Sequence, residues 1–139
     1  PAERPLPQAP ARDSATGLRI LCVDDDPAVL QALATALAAQ GHEPLMAASA
    51  AEALELARNE HPAAAILDYQ LGDGPDGLTL ARQLRRRDSA LPIAMVTAAP
   101  VSGLDWRLRR LSVQLFAKPV DPDKLFAFLA EGSVRAAAE

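Results

Sequence analysis

From Arg19 onward the chain alternates short apolar runs with amphipathic segments: "RILCV", "EPLMA", "AAAIL", "PIAMV" and "VQLFA" are each followed by a helix signal. The runs are of strand length, and the segments between them are long enough for helices. Strands separated by helices cannot pair as tight hairpins. They join through crossovers, which makes them parallel and lays the helices on the faces of the sheet. The pattern predicts an α/β fold, an open parallel sheet of five strands covered on both faces by five helices.

The helix signals are specific. Asp26-Pro27 is an N-cap followed by proline in the first turn, and Val29, Leu30, Leu33 and Leu37 then fall on one face until Gly41 ends the helix. Ser49 with Glu52 forms a capping box before "AAEALELARNE", and Asp76 leads into "GLTLARQLRRR". "LDWRLRRL" is the fourth helix, with Trp106 as a packing residue. Asp121-Pro122 repeats the cap-plus-proline signal before "DKLFAFLAEG". Met46 and Met95 read as core. Residues 1–17, rich in proline and alanine, read as a linker or tail, 18–131 as one domain, and 132–139, "GSVRAAAE", as a C-terminal tail. The opening proline suggests a processed product or a piece of a longer protein.

A length of 139 residues, half of them apolar, suffices for one core. The net charge of −4 argues against a nucleic-acid surface. Arginines at 85–87, 107, 109 and 110 read as solvated, and His42 and His61 as solvated or capping. Cys22, the single cysteine, sits in an apolar run as a small buried hydrophobe, which fits a reducing compartment. No run approaches membrane-span length and no signal-peptide pattern opens the chain, so a cytoplasmic location is expected, in a parent that a membrane could anchor. The sequence holds no Ser–His–Asp set, no metal-spaced Cys/His cluster and no glycine-rich nucleotide loop.

In open parallel sheets ligands bind outside the carboxyl ends of the strands. The polar residues fall there: Asp24, Asp25 and Asp26 after the first strand, Asp68 after the third, Thr97 after the fourth and Lys118 after the fifth. Adjacent carboxylates at ~4 Å repel by on the order of 4 kcal/mol at an effective dielectric of ~20. A hard cation held by the cluster would offset that. Each residue alone has a local explanation. Asp26 is an N-cap worth ~1 kcal/mol, Asp68 a turn acid, Thr97 a β-branched strand end and Lys118 a solvated lysine. Asp24 and Asp25 have no capping role of equal quality.

"ILCVDDDP", "AAAILDYQL", "PIAMVTA" and "LFAKPVD", in that order, resemble the motifs of response-regulator receiver domains of two-component signalling, over roughly residues 19–130. The resemblance implies a doubly wound, flavodoxin-like sheet of order 2-1-3-4-5. It implies that Asp68 accepts a phosphoryl group from phosphohistidine in a Mg²⁺-dependent reaction. Asp25 would coordinate the metal directly and Asp24 would hold a metal-bound water. Asp68 and the backbone carbonyl of Gln70 would complete the ligands, Lys118 would bind a phosphoryl oxygen and Thr97 would sense it. The implied partner is a histidine kinase or histidine phosphotransfer protein, with no nucleic acid, no direct membrane contact and at most a weak homodimer.

Three features depart from the family pattern. The loop "YQLGDGPDG" is one residue longer and lacks the proline that normally follows the leucine. The segment from Thr97 to Lys118 is one residue shorter. Leu115 stands where a switch aromatic is common, with Phe116 beside it. The longer loop, the "KPVDPDKL" ending and the proline-rich lead-in resemble receivers at the C-terminus of hybrid sensor histidine kinases, which is favoured here over a free-standing single-domain regulator. A receiver-like binding module that takes no phosphate is disfavoured by the intact set of Asp25, Asp68, Thr97 and Lys118. A phosphohydrolase with an aspartate nucleophile is disfavoured by Pro27 and Ala28 after Asp26 and by the lack of room for a cap domain.

Overall fold

The period-two alternation of β1 (Arg19–Val23) sends Ile20 and Cys22 to one side of a sheet and Leu21 and Val23 to the other, all four buried. The structure, a computed structural model, describes residues 17–72, 76–98, 105–118 and 120–138, without the side chains at 105, 106 and 132–138. In chain order β1 is followed by α1 (Pro27–Ala39), β2 (Glu43–Ala47), α2 (Ala50–Glu60), β3 (Ala64–Asp68), α3 (Gly77–Arg87), β4 (Ile93–Thr97), α4 (Asp105–Arg110), β5 (Val113–Ala117) and α5 (Pro122–Ala138). All the strand pairs are parallel and the order is β2-β1-β3-β4-β5. This is the doubly wound, flavodoxin-like sheet that the motifs imply. The chain reverses its direction of winding between β1 and β3, which opens a crevice at their carboxyl ends.

Two apolar layers hold the sheet. On one side Leu21, Val23, Leu67 and Met95 meet Ala53 and Ala57 of α2, Leu80 and Leu84 of α3 and Leu108 of α4. On the other, Ile20, Cys22, Ile66 and Val96 meet Leu30 and Leu37 of α1 and Leu125, Phe128 and Leu129 of α5. Each fully buried leucine contributes about 1.5–3 kcal/mol. The central strands β3 and β4 are buried at every position, as expected where helices cover both faces.

The caps form as the sequence predicts. Asp26 accepts from the Ala28 N–H (3.0 Å), Ser49 from Glu52 (3.2 Å) and Asp76 from Thr79 (2.9 Å). The Glu52 side chain reaches back one residue further than a capping box requires, to the Ala48 N–H (2.8 Å). At the end of α1 Gly41, with φ 88°, donates to Ala38 while His42 donates to Leu37. These two bonds form a Schellman cap.

Several expectations need correction. Met46 is not core. On the edge strand β2, Leu45 and Ala47 turn inward and leave Met46 46% exposed. Val29 is 38% exposed although it shares the apolar face of α1. The His42 side chain is buried, with Nδ1 accepting from the Leu18 N–H (3.3 Å). α5 continues to Ala138, through residues expected as a tail; the closing alanines are strong helix formers. Trp106 lies on α4, its side chain outside the described residues, as are residues 1–16 and the middle of the loop after Leu71.

Candidate functional site

β1 ends by delivering the acidic triplet, and the backbone sorts its members. Asp24 is buried at 4% exposure, its N–H bonded to Ala47 O (3.2 Å) and its Oδ1 accepting from the Asp26 N–H (2.9 Å). Asp24 therefore has a local backbone role of its own, distinct from the helix cap that Asp26 supplies. Asp26 turns away to cap α1. Asp25 is left exposed, with neither duty among the described bonds.

β3 ends on Asp68, 8% exposed. The Tyr69 N–H bonds to Val96 O (3.0 Å) and the Gly77 N–H to Tyr69 O (2.7 Å), so the loop leaves the sheet and returns to it. Gly77 has to be glycine. A Cβ there would collide with the Asp68 carbonyl oxygen and stand 2.8 Å from Met95 Sδ and 2.9 Å from Tyr69 Cα. No sequence motif singles out Gly77. A glycine opening a helix, against its poor propensity, was the available signal.

β5 ends beside Lys118, whose N–H bonds to Thr97 O (2.9 Å). Its Nζ stands 3.3 Å from Asp68 Oδ1 and 3.6 Å from Asp24 Oδ2. Carboxylate oxygens of Asp24, Asp25 and Asp68 all lie within 4.8 Å of one another. Thr97 is buried at the end of β4, one residue beyond Val96, the register partner of Asp68. Asp24, Asp25, Asp68 and Lys118 thus converge, with Thr97 on the neighbouring strand. Gln70 acts through its backbone N–H, which favours the charged form of the Asp68 carboxylate.

The electrostatics follow from this packing. Burial, and next the Asp24 charge, raise the Asp68 carboxyl above its ordinary range, while Lys118 and the Gln70 N–H pull it back only in part. Burial alone would lower the Lys118 ammonium, but Asp24 and Asp68 together outweigh it and hold it above its usual value. A three-carboxylate oxygen set gathered this closely suits a small hard cation such as Mg²⁺. Gly72 leaves it room, since a Cβ there would stand 3.3 Å from Asp25 Oδ2.

A groove of about 550 Å³ runs from Asp24, Asp68 and Lys118 outward between α1 and α5, walled by Val29, Leu33 and Phe126 among others. On β5, Leu115 packs at the edge of the α2–α4 layer. Phe116 points to the opposite side, 8% exposed and edge-on to Phe128 (centroids 5.9 Å apart). The aromatic next to the switch position is therefore a core residue of the α5 side.

A family model described as "Response regulator receiver domain" matches residues 20–130. The response regulator MprA of Mycobacterium sp. (strain KMS) is 41% identical over 93 residues, which cover 63% of this chain and 40% of MprA. The chain thus spans about two fifths of the length of that relative. Among solved structures, a CheY-like response regulator receiver domain protein from Methanospirillum hungatei JF-1 superposes with a TM-score of 0.82 at 27% identity, covering 88% of this chain and 98% of that one. A sensor protein from Polaromonas sp. JS666 gives 0.76 at 34% identity, covering 85% and 97%.

Proposed function

Since the chain belongs to the response regulator receiver domain family and is a receiver of two-component signalling, we propose that Asp68 is its phosphoacceptor. The observation that carries this is the Asp68 carboxylate at the sheet's carboxyl edge, 3.3 Å from Lys118 Nζ and gathered with Asp24 and Asp25. The phosphoryl group comes from a phosphohistidine of a kinase or phosphotransfer protein. An Asp68 oxygen forms the new P–O bond as the P–N bond breaks and the imidazole leaves. Burial keeps Asp68 basic and hence nucleophilic, and Lys118 takes a phosphoryl oxygen. Thr97, buried on the next strand, meets another and relays the change towards α4.

Asp25, Asp68 and the Gln70 carbonyl would hold Mg²⁺, with Asp24 on a metal-bound water. The bound ion supplies charge neutralisation for the acids and the transferring group. The domain spans residues 18–131 in this reading, with α5 carried on to Ala138, and works in the cytoplasm; among the described residues no helix is long and apolar enough to cross a membrane. Similarity to the Polaromonas sensor protein supports a sensor protein as the parent, which in this reading is a hybrid sensor kinase. Similarity to MprA supports a second reading, a response regulator in which this chain is the receiver part.

Intact-mass spectrometry after treatment with acetyl phosphate tests the phosphoacceptor. One phosphoryl addition is expected with Mg²⁺ and none in EDTA. Asp68→Asn should take none under either condition, and unchanged labelling of that variant overturns the assignment.

A further inference from the structure

On the α3–α4 side of the sheet an arginine of α3 outside the 85–87 run meets two arginines of the 107–110 cluster. Arg82 of α3 and Arg107, Arg110 and Leu111 at α4 line one cleft of about 500 Å³. None of these residues borders the acidic site or the α1–α5 groove. The three arginines are exposed and Leu111 is half-buried.

The cleft walls are fixed by a fourth arginine, which is not the solvated residue its sequence setting suggests. Arg85 Nε donates to Leu111 O (2.9 Å) and Nη2 to Ser112 O (3.3 Å). Nη1 donates to Leu91 O (2.6 Å), Ser89 O (3.0 Å) and Asp88 O (3.4 Å). A guanidinium bonded to five carbonyls ties the end of α3 and its following loop to the α4–β5 turn. Arg82, one turn before it, and Leu111, whose carbonyl it binds, are thereby set facing the same space.

We propose that this cleft binds a nucleoside polyphosphate, with its phosphates among Arg82, Arg107 and Arg110 and its base against Leu111. Guanidinium forks match phosphate oxygens in pairs and stack on planar bases. A volume of about 500 Å³ lies within the range of small-ligand clefts. Three guanidinium groups border the space, two of them also engaged by partners within the chain, and a di- or triphosphate presents several anionic oxygens over a similarly small volume. An acidic peptide spreads its charges by about 3.3 Å per residue and would run past the cleft. A long nucleic acid would meet the chain's net charge of −4. Arg107 and Arg110 have partners within the chain, with which the phosphates compete, so the site is weaker than a dedicated nucleotide pocket.

Titration of the full chain with GTP in EDTA, followed by calorimetry and backbone amide shifts, tests the proposal. One saturable site is expected, with shifts at Arg82 and residues 107–111 and an affinity that falls with salt. The double variant Arg107→Gln/Arg110→Gln should bind about tenfold more weakly or worse, with an unchanged thermal melt. Arg86→Gln, on α3 but off the cleft, should change affinity by less than about twofold. Asp68→Asn should bind GTP as the parent does, which separates this site from phosphoacceptance. Absence of saturation, equal binding by the double variant, or saturation by an oligoglutamate peptide but not by GTP overturns it.

Discussion

Asp24, Asp25 and Asp26 are chemically identical and adjacent, yet the fold gives each a different environment. Asp24 is buried against Lys118 and the Asp26 N–H, Asp25 is exposed with an oxygen in the acidic cluster, and Asp26 caps α1. Their replacements should therefore fail differently. Asp25→Asn removes a charge from the metal cluster alone, so Mg²⁺ affinity should fall by tenfold or more, about 1.4 kcal/mol, while stability in EDTA holds or rises as repulsion is relieved. Asp26→Ala removes a cap and should lower stability by about 1 kcal/mol with Mg²⁺ affinity retained. Metal titration and urea unfolding of both variants check this, and equal loss of affinity would mean that the triplet is misassigned.

At the scale of elements, the site depends on how closely α3 returns to β3. Gly77 opens α3 against the Asp68 carbonyl and Met95. Gly77→Ala should push the helix start off the strand, at about 1–3 kcal/mol of stability, and slow acetyl phosphate labelling because Asp68 moves with it. Normal labelling with an unchanged melt would contradict that. On the other side, the groove between α1 and α5 leaves Val29 exposed close to Asp68. If the phosphohistidine protein of the proposed function docks along that surface, it meets Val29, whereas a small donor does not. Val29→Glu is expected to slow transfer from a phosphohistidine protein several-fold while acetyl phosphate labelling stays at the parent rate. Equal slowing of both would place the defect in the chemistry rather than in docking.

At the scale of the whole molecule, the far end of the sheet carries its own titratable group. His42 is buried between β1 and β2, and burial lowers its imidazole below the ordinary value of 6.5. Its Nδ1 accepts from the Leu18 N–H, a bond that protonation at that nitrogen would remove. The unfolded chain protonates at the ordinary value and the folded chain resists until a lower pH. Stability from this group is complete above about pH 6.5 and drains away as pH falls through that value towards the folded one. Urea unfolding at pH 7.5 and 5.5 should show the loss, and His42→Gln should reduce it.

The sequence by itself determined the element order, because apolar periodicity and capping are local. Asp26, Ser49 and Asp76 cap their helices where the spacing predicts, and the strand runs fall within a residue of their observed bounds. It also determined which residues share the sheet's carboxyl edge, since a parallel sheet brings those ends together: Asp24, Asp25, Asp68 and Lys118 converge there, with Thr97 at the end of the neighbouring strand. The tertiary structure decided what depends on neighbours distant along the chain. Met46 is exposed because β2 is an edge, Phe116 is core because its side of β5 faces α5, and Gly77 is constrained by a carbonyl that comes close only after folding. Arg85 reads as one more charge in a basic run until the α4–β5 turn supplies two of its five acceptors, 26 and 27 residues away in sequence. Periodicity and caps are written in consecutive residues, whereas burial and long-range bonds exist only between surfaces that the fold has brought together.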